Sequence, residues 1–135
     1  MSIKNLLLGY GVFALLVFLY TGYTMEQGFP ELYASDISIR YLYRANHIYL
    51  LFSALLILMY ASSYDKSINP ISNSLYAIVA TVLIIAHIIL IAAFFIEPQQ
   101  ASDNRPLSYY GVVITLTAVI LGVFARLGQL GNKQQ

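Results

Sequence analysis

Four long apolar stretches, residues 5–25, 45–64, 67–96 and 106–125, contain no Asp, Glu, Lys or Arg, and every charged side chain lies outside them. A hydrocarbon layer about 30 Å thick is crossed by about 20 helical residues, so each stretch predicts one crossing. None alternates polar and apolar residues as barrel strands do. Unpaired backbone in lipid is too costly for anything but a helix or a closed barrel. The pattern therefore predicts an all-α fold: an integral membrane four-helix bundle, antiparallel and up-down-up-down. It forms a single transmembrane domain over 1–135, with spans near 5–24, 36–63, 70–96 and 106–127 and an outer loop over 24–35.

Local signals place the ends. Asn69-Pro70 offers a cap followed by a proline at the first helical position, and Glu97-Pro98 closes the same stretch, so the third run predicts one span and not two. Pro106 starts the fourth helix, which is expected to end near Gly128 with Gly131 beyond it. Ser35 is expected to cap the second helix, with Asp36 in its first turn. Lys4 before an apolar stretch mimics a signal peptide, but the run exceeds the usual h-region of about 7–15 residues and no A-x-A-like site follows promptly. An uncleaved span is expected. Gly9, Gly11, Ala80, Ala86, Gly111, Thr115, Ala118 and Gly122 supply the small side chains that close helix packing in lipid requires.

Charge sets an orientation. With four spans, Lys4, Lys66, Arg126 and Lys133 share one side with Asp65 as the only acid there. The other side holds Arg40, Arg44 and Arg105 with Glu26, Glu31, Asp36, Glu97 and Asp103. The basic residues favour an N-in/C-in arrangement. Tyr20, Tyr23, Tyr33, Tyr41, Tyr43, Tyr109 and Tyr110 then fall near the outer interface, where aromatic belts form.

Composition narrows the chemistry. Of 135 residues 59% are hydrophobic and 10% charged, against about 25% charged in a soluble domain. A net charge of +1 excludes a polybasic nucleic-acid binder, and the absence of cysteine excludes disulfides, thiolate metal sites and a cysteine nucleophile. No phosphate-binding glycine loop, His-Glu-x-x-His helix or Gly-x-Ser-x-Gly turn occurs, which points away from hydrolytic catalysis. No metal site and no Cys-x-x-Cys-His haem attachment is expected. The size and layout resemble those of small bacterial inner-membrane proteins, a class-level likeness that carries no functional residue across.

Two groups of polar residues stand out. Arg40, Arg44, His47 and Leu51 follow helical spacing down one face of the second helix. Asp36 is placed to pair with Arg40 at i+4, which leaves Arg44 and His47 seeking partners. Glu97, at the negative end of the third helix, needs a cation. A cluster of Arg44, His47, Glu97 and Arg105 is expected, with Arg40, Asn46, Tyr43 and Tyr49 around it. Interface snorkelling explains such residues as well as an anion, headgroup or quinone site does.

The second group centres on His87, about 15 Å inside Glu97 along a helix and so near mid-bilayer. The same count places Ser53, Thr115 and Thr117 at its depth, able to satisfy a neutral ring that faces the bundle interior. Haem b through His87 is the alternative. Bis-histidine ligation would also need His47, about 10 Å away in depth. Two functions remain open: a non-catalytic accessory subunit docking other membrane proteins or a second copy in the bilayer, or a redox or solute-handling protein with haem b, a quinone or a small anion near His87 or the arginine cluster.

Overall fold

The computed structural model describes residues 2–29, 36–63, 70–100 and 104–131. Four helices account for nearly all of them: α1 (Ile3–Gly28), α2 (Ile37–Ser62), α3 (Pro70–Ile96) and α4 (Pro106–Gly131), with one 3-10 turn at Pro98–Gln100. No strand occurs among the described residues. All four helices are long and apolar enough to cross a membrane.

Capping chemistry explains most of the ends. The Ser2 hydroxyl accepts from the Asn5 N–H at 3.3 Å, and Asp36 Oδ1 accepts from the Ile39 N–H at 3.2 Å. Each satisfies one of the donors that a helix N-terminus leaves free. Asp36 is thus the cap of α2 and not a first-turn residue; Ser35 lies outside the described residues. Pro70 and Pro106 occupy first helical positions, where a missing N–H costs nothing. The chain runs helical past Thr24, because Met25, Glu26 and Gln27 are good helix formers and the first breaker is Gly28. α4 likewise passes through Gly128 as far as Gly131, the last described residue, since one glycine inside a helix is tolerated.

α1 packs on α2, α4 packs on α3, and α2 meets α3 between them. No Cα of α1 comes within 8 Å of one in α4, so the outer two helices flank a central pair without closing on each other. Glycines permit the tightest approaches. A Cβ on Gly11 would lie 2.5 Å from Leu58 Cδ2, and one on Gly111 would lie 2.6 Å from Leu90 Cδ2. Gly9 meets nothing within 4 Å and takes no part in packing.

The core is layered along the helix axes. Leu7, Ile57, Ala61, Tyr76, Val79, Ala80, Leu83 and Ala118 form one apolar cluster, and Tyr43, Leu50, Leu90 and Phe94 form another. Ser53 and His87 lie between the two in sequence on their helices, so a polar layer separates two apolar ones. Overpacking a tight helix contact costs about 1–3 kcal/mol. Gly11→Val and Gly111→Val should each lower the melting temperature in detergent, while Gly9→Val should leave it unchanged. Equal melting of all three variants would contradict this packing.

Candidate functional site

The most connected polar group lies where α3 turns into α4. The Glu97 N–H still bonds to Ala93 O at 3.1 Å, and the Gln100 N–H closes the 3-10 turn on Glu97 O at 3.2 Å. This tight turn, fixed by Pro98, brings the Glu97 carboxylate back onto the first turn of α4. There Oε1 accepts from the Ser108 N–H at 3.0 Å, and Oε2 contacts the Ser108 hydroxyl. The carboxylate thereby faces the positive end of α4, where an anion is favoured. Arg105 Nε lies 3.8 Å from Oε2 and supplies the opposite charge.

Asn46 of α2 ties this turn to the rest of the molecule. Its amide donates to Ala93 O at 2.9 Å, and its Oδ1 lies 2.7 Å from Ser108 Oγ and in contact with Arg105 Nη2. Arg105 Nη2 also donates to Ser108 Oγ at 3.1 Å. The single Ser108 proton serves either Glu97 or Asn46 at one time, and the guanidinium supplies further donors to the cluster. Glu97 is 3% exposed and Asn46 1%, so almost no water reaches the centre of this knot. Arg105 rests its guanidinium 6.0 Å from the Tyr49 ring centroid.

Arg44 and His47 lie elsewhere. Successive helical residues are rotated by about 100°. With Asn46 turned to α3 and α4, His47 consequently turns to α1. Its ring stacks on Phe18 with centroids 4.1 Å apart, and its Nδ1 lies 3.0 Å from Thr21 Oγ1. Gly22 leaves room for it: a Cβ there would sit 3.2 Å from His47 Cε1. Arg40 and Arg44 both lie over the Phe29 ring, at 5.3 and 6.0 Å from its centroid. Asp36, expected to pair with Arg40, spends its carboxylate on capping α2.

At mid-helix, His87 is fully buried and its Nδ1 lies 2.7 Å from Ser53 Oγ. Ser53 donates its only proton to Leu50 O at 3.0 Å, so the short contact carries the His87 Nδ1–H. Nε2 is then a bare acceptor. It is buried without a hydrogen-bond partner among the described residues, as is the Tyr10 hydroxyl, and the two rings meet edge to face with centroids 5.8 Å apart. Thr115 and Thr117 return their hydroxyls to Gly111 O and Val113 O of their own helix. His47 repeats the His87 device, since Thr21 donates to Phe18 O and accepts from the ring. Because the two imidazoles are held by different helices at different levels, they do not face one common atom. Among the described residues, no group of three His, Cys, Asp or Glu is placed to hold a metal ion.

Ser108, Thr21 and Tyr10 are the participants that sequence reasoning missed. Ser108 carried a readable signal: it is the third residue of a helix that begins with proline, where a backbone N–H seeks an acceptor. Set against protein-family models, curated proteins and solved structures, the chain matches none.

Leaving one partner of a buried polar network unsatisfied costs about 1–3 kcal/mol. Glu97→Gln and Ser108→Ala should therefore each lower thermal stability in detergent, and the double variant should lose less than the sum, because both act on one network. Melting like the wild type for either single variant would refute a structural role for the knot.

Proposed function

We propose that this chain is a multi-pass membrane protein of four antiparallel helices, with both ends on one side, serving as a non-catalytic accessory subunit that docks other membrane spans. One observation carries the membrane reading. Polar residues are inside (Thr21, Asn46, Ser53, His87, Glu97, Ser108, Thr115), while large apolar side chains cover the outside of every helix. A water-soluble fold does not turn so many large apolar side chains outward on every helix. Helix direction is supported by the contacts between α1 and α2, where Gly11 meets Leu58 and Gly22 meets His47. The N-in/C-in orientation rests on the distribution of basic residues, and the bacterial inner membrane on the size and layout of the chain.

The accessory role draws on the open arrangement. α1 leans on α2 and leaves Val12, Phe13, Leu16, Leu19, Tyr20 and Tyr23 exposed. Between α3 and α4 lies an apolar hollow of about 160 Å³ lined by Leu75, Ile78, Val82, Val113, Thr117 and Leu121. Such faces suit side-by-side packing with other helices.

The absence of cysteine makes the test direct. Single cysteines at Leu16 and at Leu116, both outward-facing, would carry a photoactivatable crosslinker in native membranes. An accessory subunit should give a crosslinked product of one defined mass from at least one face. Lipid adducts alone from both faces would overturn the docking role, and termini labelled from opposite sides would overturn the topology.

A second reading, a redox or solute-handling protein with a ligand at His87, is favoured by the unpartnered Nε2 and Tyr10 hydroxyl. An imidazole held at Nδ1 and bare at Nε2 is prepared to bind haem iron or accept a proton from a bound hydroxyl. Purified protein with a Soret band that His87→Gln removes without unfolding would support it. A colourless wild type would reject haem b.

A further inference from the structure

Two guanidinium groups share one aromatic ring at the start of α2, and neither has a carboxylate within ion-pair distance among the described residues. Phe29 is a fixed platform: it caps α1, its N–H bonds to Met25 O at 3.0 Å, and its ring packs against Tyr43 with centroids 6.1 Å apart. Asp36, the nearest acid along the helix, is committed to the Ile39 N–H. Stacking over a ring face leaves the N–H edges of a guanidinium free for an oxyanion. Two like charges gathered over one ring repel, and an anion bridging them relieves the repulsion. The N-terminal dipole of α2 adds in the same direction.

Below this pair the outward face of α2 is continuous. Ile37, Tyr41, Arg44, Ile48, Phe52, Leu55 and Met59 succeed one another at intervals of three or four residues, and all are exposed. From Arg44 to Leu55 the lane runs about 16 Å, which matches the half-thickness of a hydrocarbon layer about 30 Å thick and so the reach of an acyl chain in one leaflet. Exposed Tyr20, Tyr23 and Tyr41 surround the charged end, at the level where tyrosines sit against headgroups. A cationic fork above an apolar lane is the shape of a phospholipid with an anionic head.

We propose that Arg40 and Arg44, stacked on Phe29, bind the phosphate of an anionic phospholipid whose acyl chain lies along Ile48, Phe52 and Leu55. This inference rests on the membrane-spanning reading. It does not depend on the accessory role or on His87. Each arginine near a lipid surface contributes a factor of about five in affinity for anionic lipid.

The experiment places the purified chain in nanodiscs of phosphatidylcholine alone or with phosphatidylglycerol, and compares melting temperature and the lipids retained on release. Wild type should melt higher with phosphatidylglycerol and retain it preferentially. Arg40→Gln/Arg44→Gln should lose the preference by about 25-fold, while Lys4→Gln, at the opposite end of α1, should keep it. A preference unchanged in the double variant, or absent from the wild type, overturns the lipid site. Inorganic phosphate raising the melting temperature equally in lipid-free detergent would assign the pair to a free anion and overturn it too. Extraction of the chain from membranes by alkaline carbonate would refute the spanning reading itself. Failure of the nanodisc comparison with a carbonate-resistant chain refutes the lipid site alone.

Discussion

The carboxylate of Glu97 joins two helix ends. α3 finishes with unpaired carbonyls and α4 begins with unpaired N–H groups, and where Glu97 and Ser108 are buried little water reaches them. One side chain, turned back by Pro98, meets the Ser108 N–H and the Ser108 hydroxyl and draws Arg105 beside it. Asn46 then extends the arrangement to α2 by bonding both the last turn of α3 and the first turn of α4. The spacing of three of the four helices at that end follows from these few bonds. Dispersion between apolar side chains gives no comparable direction.

Elsewhere the interior solves the same problem by economy. Ser53 and Thr21 each donate to a carbonyl three residues earlier on their own helix, and so keep a lone pair for an imidazole on a neighbour. A hydroxyl can do this without breaking the helix that carries it, whereas a buried amide or carboxylate needs several partners at once. The single-proton hydroxyls are accordingly spread along the helices, and the many-partnered Asn46 and Glu97 meet in one place.

How far the sequence was legible depended on the kind of information each feature needs. The helices follow from apolar runs bounded by charges, prolines and caps, all local signals; α1 outlasted its expected end because no breaker precedes Gly28. Counting inward from Glu97 set Ser53 at the depth of His87, and the two atoms lie 2.7 Å apart. The arginine stripe was harder. Spacing tells which residues share a face, but not which neighbour that face meets, so Arg44 and His47 were assigned to Glu97 although their side of α2 turns to α1. Asn46, one position earlier, occupies the centre instead. Ser108 went unread because a serine in a first turn looks like an ordinary helix start until the carboxylate eleven residues before it is folded back.

The lack of contact between α1 and α4 bears on the order in which the chain is made. Most of what α1 touches belongs to α2, so that pair gains the larger part of its packing before α3 and α4 join it. Ser53 would at that moment be a polar group without its histidine, yet its proton already rests on Leu50 O, and it waits at little cost. His47 has Thr21 at hand in the same pair. Asn46 has no such provision, since its partners Ala93, Arg105 and Ser108 all come from later chain. It is therefore the polar side chain of the first two helices that stays unsatisfied until the chain has been made as far as Ser108.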